Sequence, residues 1–240
     1  MAIEPQRQKQ LQSLIRKLGL PPHTTPDWQL LDLAFTHPSV SPAQNYQQLE
    51  FTGDAVLRLA AAEVLMEDYP TALVGELASL RSIMVSDRTL AQWADVYGLE
   101  RYLWITPQAL GDQAGRTSRL ADTFEALLGA LYLSTRNMTL VRPWLDEHLR
   151  SSAIAIRRDP ARQNYKDALQ EWTQANHKCL PEYRVQENPP PVVATERFSA
   201  QVWLQGQLLG TGRGNSKKAA EQAAARIAFF GHVYPHKLSQ

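Results

Sequence analysis

Apolar residues recur at helical spacing through the first 150 residues of the chain. Residues 8–18 read as a short amphipathic helix, stopped by Gly19 and the Pro21-Pro22 pair. Residues 27–35 read as another, and 47–66 as a long one that ends near Tyr69-Pro70. Across residues 75–97, Leu77, Leu80, Ile83, Met84, Leu90, Trp93 and Ala94 fit one broken helix or two successive ones. Further helices are predicted at 118–133 and 140–148, and no alternating strand pattern survives in this half. Periodicity is then lost over 151–164, a stretch containing Arg157, Arg158, Asp159 and Pro160, and a linker is placed at 151–162. Beyond it the period changes. Residues 165–175 are helical, while 182–187, 197–204 and 207–212 read as strands, the last two joined at Gln205-Gly206. An alanine-rich helix over 216–230 completes the order α-β-β-β-α. The expected architecture is an all-α domain at 1–150 followed by a small α+β domain at 163–232.

Length and composition agree with this division. A chain of 240 residues with 44% apolar and 20% charged content makes one large domain or two modest ones. Its polar opening has no apolar signal segment, and no apolar run approaches the roughly 18 residues of a membrane span. The single cysteine, Cys179, forms neither an intrachain disulfide nor a cysteine-based metal site, so a reducing compartment, the cytoplasm, is expected. The net charge of +1 hides an asymmetry. Lys and Arg number fifteen against eighteen Asp and Glu through residue 160, a balance of −3, but ten against six after it, a balance of +4. That balance suits a polyanionic partner for the second domain, although random variation between surfaces would produce it too.

Candidate chemistry lies in two helices. In the stretch QLEFTGDAVLRLAA, Glu50 and Asp54 are four residues apart and share a helix face. In LADTFEALLGALYL, Asp122 and Glu125 are three apart and also share one. Each helix carries a glycine on or near that face, Gly53 and Gly129. A mid-helix glycine costs about 1 kcal/mol relative to alanine, which suggests another backbone close by. Should the two helices pack, the acids would enter a partly dry space where carboxylates need a cation, and no Lys or Arg lies between the members of either pair. An all-carboxylate donor set suits a hard dication, Mg2+ or Mn2+. A solvated acidic stripe has the same spacing, and spacing leaves both readings open.

These residues resemble the ribonuclease III family of double-stranded RNA endonucleases. NYQQLEFTGDAVL is similar to its signature, SRLADTFEALLGALYL to its second acidic helix, and GELASLRSIMVSDRTLAQWA to the stretch between them. DALQEW and GTGRGNSKKAAEQAAA resemble its double-stranded RNA-binding domain. The resemblance spans nearly the whole chain in the family's domain order. It implies that Glu50, Asp122 and Glu125 are principal Mg2+ ligands, and that Asp54 helps bind metal and orient the attacking water. Asp54 and Glu125 thereby become the catalytic pair. It also implies a homodimer cutting both strands, leaving 5′-phosphates, 3′-hydroxyls and two-nucleotide 3′ overhangs, with roles in ribosomal and messenger RNA processing. Gln47 and Val74 stand where many relatives have acids, and Thr52 replaces a usual leucine. Those departures bear on site preference rather than chemistry. His37 matches a recurrent stretch and is expected to serve hydrogen bonding rather than catalysis. A catalytically silent RNA-binding relative would be expected to lose metal ligands, and all four are retained.

The basic module points the same way. A-form RNA hides its base edges, so it is recognised by shape, phosphates and 2′-hydroxyls. Ser216, Lys217 and Lys218 sit where the last helix opens, so ammonium groups and helix N-terminus both face phosphate favourably. Gly212 and Gly214 are expected to let the chain turn tightly before that helix. A solvated lysine pair is the plainer alternative; the flanking strand pair and matching first helix favour RNA. The GTGRGNSKK loop lacks the spacing of a phosphate-binding nucleotide loop, so no nucleotide cofactor is expected. By resemblance, Gln170, Glu171 and Gln174 would reach one minor groove and the loop before Phe198 the next, although Ala194 replaces the histidine usual in that loop.

Overall fold

The structure, a computed structural model, describes residues 3–21, 23–159, 164–189 and 196–233. The chain divides between Ile156 and Arg157 into two compact units, each with its own hydrophobic core. Among the described residues, no helix is long and apolar enough to cross a membrane.

The first unit is helical. Its elements are α1 (Pro5–Lys17), α2 (Trp28–Leu33), α3 (Gln47–Asp68), α4 (Val74–Met84), α5 (Asp87–Tyr97), α6 (Pro107–Gly111), α7 (Arg116–Thr135) and α8 (Arg142–Arg158). Local chemistry sets several ends. Pro5 opens α1, where its missing N–H costs nothing. The Asp27 carboxylate accepts from the Gln29 and Leu30 N–H groups at 2.9 and 3.2 Å and caps α2. Residues 75–97 resolve into two helices because Ser86 turns the chain, its hydroxyl donating to the Ile83 carbonyl at 2.8 Å. Gly98, at φ +65°, ends α5 in the left-handed conformation that glycine adopts without strain. The short α6 spans too few turns to show a period.

The assignment of 151–162 as linker is corrected over its first part, since α8 runs on to Arg158. Leu145, Leu149, Ala153 and Ile156 continue one apolar face and are buried. The serines and alanines between them diluted the period in the sequence. Arg142 and Arg150 also tie α8 to α3 through Glu63, Glu67 and Asp68.

Helix α7 is the centre of this unit, with Leu120, Phe124, Leu127, Leu128 and Leu131 fully buried. Helix α3 crosses it at very close range. A Cβ on Gly53 would overlap the Glu125 carbonyl oxygen, and one on Gly129 would overlap that of Leu49. Each helix therefore places a glycine against the other's backbone. That crossing sets the site.

The second unit contains α9 (Tyr165–His177), β1 (Glu182–Glu187), β2 (Phe198–Leu204), β3 (Gln207–Gly214) and α10 (Lys217–Ala228), followed by a π turn at Phe229–Val233. The strands form one antiparallel sheet in the order β1-β2-β3. Gln205 and Gly206, both at positive φ, make the tight turn between β2 and β3. Leu169, Val202, Ala220, Ala224 and Phe229 fill the core between sheet and helices. The role expected of Gly212 and Gly214 is corrected: both lie within β3, not in a turn before α10. A Cβ on Gly210 would lie 2.6 Å from the Ala224 carbonyl oxygen, one on Gly212 would overlap the Ala224 nitrogen, and one on Gly214 would lie 2.7 Å from the Ala219 Cβ. A glycine-bearing strand thus lets the alanine face of α10 lie almost on the sheet. Ala194 and the loop residues 190–195 lie outside the described residues.

Candidate metal centre and nucleic-acid interface

The α3–α7 crossing brings three of the four sequence-derived acids together. Glu50, Asp122 and Glu125 each offer a carboxylate oxygen within 4.8 Å of the others, and all three side chains are half-buried. Asp54 lies one turn along α3 from Glu50, but its carboxylate is engaged elsewhere. Arg58 Nε donates to its two oxygens at 2.8 and 2.9 Å. Among the described residues, this is the one carboxylate cluster with metal-ligand geometry.

The electrostatics follow from crowding. Burial, then the charges of Asp54, Asp122, Glu50 and Asp87, push the Glu125 carboxyl up to about 8. Burial and the charges of Asp122 and Asp54 raise Glu50; burial and Asp87 raise Asp122. Carboxyls that resist ionisation, with no ion pair to Glu50, Asp122 or Glu125 among the described residues, form a site with unmet demand for positive charge. A hard dication fits this donor set, which contains neither thiol nor imidazole.

Three neighbours escaped the sequence reading. Tyr46 is buried, and its hydroxyl donates to Asp122 Oδ2 over a long 3.5 Å; burial and the charges of Asp122 and Glu50 push its phenol upward. Its place within the signature stretch, just before α3 begins, was the available signal. Asp87, in the first turn of α5, adds its charge from a third helix and accepts from the Ser118 hydroxyl at 3.1 Å. Sequence spacing offered no sign of that approach. Arg58 stands four residues beyond Asp54, a spacing visible in the sequence. His37 Nδ1 accepts from the Ser39 backbone N–H at 3.0 Å, and its ring meets Tyr46 edge-on. Thr52 donates its hydroxyl back to the Gln48 carbonyl at 3.0 Å, while Gln47 and Val74 are exposed.

In the second unit, Gln170, Glu171 and Gln174 are all exposed on α9. Ser216 caps α10, its hydroxyl accepting from the Ala219 N–H at 3.2 Å. Lys217 and Lys218 follow as the first two helical residues, both exposed, and neither pairs with a carboxylate among the described residues. Lys166 instead pairs with Glu221 at 2.6 Å and joins α9 to α10.

A helical unit with a carboxylate cluster, followed by an α-β-β-β-α module with an exposed lysine turn, defines a nuclease domain joined to an RNA-binding one. A family model for the Ribonuclease III domain matches residues 47–136, and one for the Double-stranded RNA binding motif matches residues 165–229. A protein named Ribonuclease 3 2 from Synechocystis sp. is 60% identical over 229 residues, covering 95% of this chain and 94% of its own. Its namesake from Nostoc sp. is 59% identical over 237 residues, covering 99% and 98%. The solved structure of Dicer from Pichia stipitis matches at 25% identity with a TM-score of 0.48, covering 88% of this chain and 96% of its own. The chain belongs to the ribonuclease III family, metal-dependent endoribonucleases that act on double-stranded RNA.

Proposed function

We propose that residues 1–150 form the catalytic and dimerisation domain and residues 163–232 the domain that holds duplex RNA. Together they perform Mg2+-dependent hydrolysis of phosphodiesters in both strands, with Mn2+ able to replace Mg2+. The convergence of Glu50, Asp122 and Glu125 oxygens within 4.8 Å carries this reading. Bound there, a dication would supply charge neutralisation at the scissile phosphate and lower the pKa of the attacking water. Glu50, Asp122 and Glu125 hold it. Asp54, one turn from Glu50, would help bind the ion and orient the attacking water. The Tyr46 hydroxyl steadies the Asp122 carboxylate from the buried side.

Gln170, Glu171 and Gln174 on α9 meet 2′-hydroxyls, and Ser216, Lys217 and Lys218 at the start of α10 meet phosphates. The products carry 5′-phosphate and 3′-hydroxyl ends with two-nucleotide 3′ overhangs, as two sites across a duplex would leave. Ribosomal RNA precursors and messenger RNA are the substrates, in the cytoplasm. A homodimer is supported by the outward stripe of α3, where Phe51, Leu59 and Met66 are exposed at 83%, 51% and 65%.

The test is purified protein with long duplex RNA. Short defined products are expected with Mg2+, and bound but intact RNA in EDTA. Glu125→Gln is expected to keep binding while cleavage collapses, since a direct ligand should cost at least the roughly 10–100-fold typical of outer-shell partners. Undiminished cleavage by that variant would remove Glu125 from the chemistry.

A further inference from the structure

We propose that Arg58 gates the metal centre: its guanidinium competes with the dication for the Asp54 carboxylate and so sets the dication concentration the cluster requires. This rests on the reading of the acidic cluster as a metal centre. Asp54 and Arg58 are one turn apart on α3, and Arg58 Nε donates to both Asp54 oxygens at 2.8 and 2.9 Å. That bifurcated bond engages both oxygens from the Arg58 side. Glu50, Asp122 and Glu125 already face one another, whereas Asp54 must turn away from Arg58 to add an oxygen to them. With both oxygens accepting from Arg58 Nε, the Asp54 carboxylate stays outside the 4.8 Å group, and joining it costs at least one of those two bonds.

An exposed i,i+4 pair is ordinarily a weak surface contact, and here the side chains are 52% and 38% exposed. What sets this pair apart is the demand on its acid. A dication held by three carboxylates on one side competes with one guanidinium on the other, and Glu125 itself acts electrostatically on Arg58. A weak bond in that position tunes rather than blocks. It lowers dication affinity by a small factor, and it keeps the fourth carboxylate neutralised until the cation arrives.

The experiment is calorimetric titration of the full chain with Mg2+, repeated with Mn2+ by electron paramagnetic resonance. Arg58→Gln is expected to tighten dication binding about two- to fivefold, the range of exposed ion pairs. In an Asp54→Asn background the same substitution should tighten binding by clearly less, because the competing carboxylate is gone and only the charge of Arg58 near Glu125 remains. Equal tightening in both backgrounds would reduce Arg58 to a remote positive charge and overturn the gate. So would an Arg58→Gln affinity identical to that of the unsubstituted chain, with the metal centre itself left standing. Absence of dication binding by the unsubstituted chain and by Arg58→Gln alike would overturn the metal centre and the gate together.

Discussion

Glu125 meets the charges of four other acids in a half-buried position, which places its ionisation near neutral pH, at about 8. A dication entering below that pH must displace a proton from the cluster. Its affinity is therefore expected to rise with pH through neutrality and to level off above about 8. Calorimetry in buffers of different ionisation enthalpy should report proton release that fades over the same range. The sign for stability is opposite. A carboxyl raised in the folded state binds its proton there while the unfolded chain has already lost it. Stability in EDTA should thus decline as pH rises from about 4.5 towards 8, and Glu125→Gln should flatten the decline. Melting temperatures across that window check both; a profile rising with pH in the unsubstituted chain would contradict this account of Glu125. The acids themselves were legible in the sequence from i,i+3 and i,i+4 spacing. The i,i+4 spacing of Asp54 and Arg58 was visible too, but that Asp54 stands outside the cluster was not, because the cluster is assembled across two helices.

Between elements, the decisive feature is the close crossing of α3 and α7 at Gly53 and Gly129. Gly53→Ala would gain about 1 kcal/mol of helix propensity but would drive a Cβ into the Glu125 carbonyl. Overpacking of this kind costs roughly 1–3 kcal/mol, occasionally more, and backbone on the far side leaves little room to yield. A net loss of stability and a displaced Glu125 are expected, read as a lower melting temperature together with weaker dication binding. An unchanged melting temperature would mean that the helices separate freely. Glycine inside an apolar helix announced this approach in the sequence. The extension of α8 was less visible, since its last turns alternate Ala153 and Ile156, which enter the core, with serines and arginines that do not. The sequence suggested a tight turn before α10 at Gly212 and Gly214, whereas these two and Gly210 lie in β3 and serve close packing under α10.

For the molecule as a whole, the excess of Lys and Arg after residue 160 suits the proposed division, with chemistry in the first domain and duplex affinity in the second. Replacing Lys217 and Lys218 with alanine should weaken duplex binding uniformly across sequences and reduce the salt slope of log K by about two. Both side chains are exposed, so the melting temperature should hold. A slope unchanged by the double substitution would place the phosphate contacts elsewhere. On the proposed reading of a homodimer joined through α3, Phe51→Asp, at a side chain 83% exposed, should give a monomer in sedimentation equilibrium without loss of the helical signal. Persistence of the dimer would move its interface off α3.

Periodicity and spacing settle what depends on neighbours along the chain: two units of different class, the tight turn at Gln205-Gly206, the pairing of acids on each helix, and the glycines that permit close approach. Such features follow from 3.6- and 2-residue repeats and from the conformational freedom of single residues. The convergence of three acids, the added charge of Asp87, the Tyr46 hydroxyl on Asp122 and the diversion of Asp54 to Arg58 required the folded chain. Distances between separate elements come from packing against a shared core, and a side chain with two available partners is assigned by which lies nearer in space, a quantity that residue spacing does not contain.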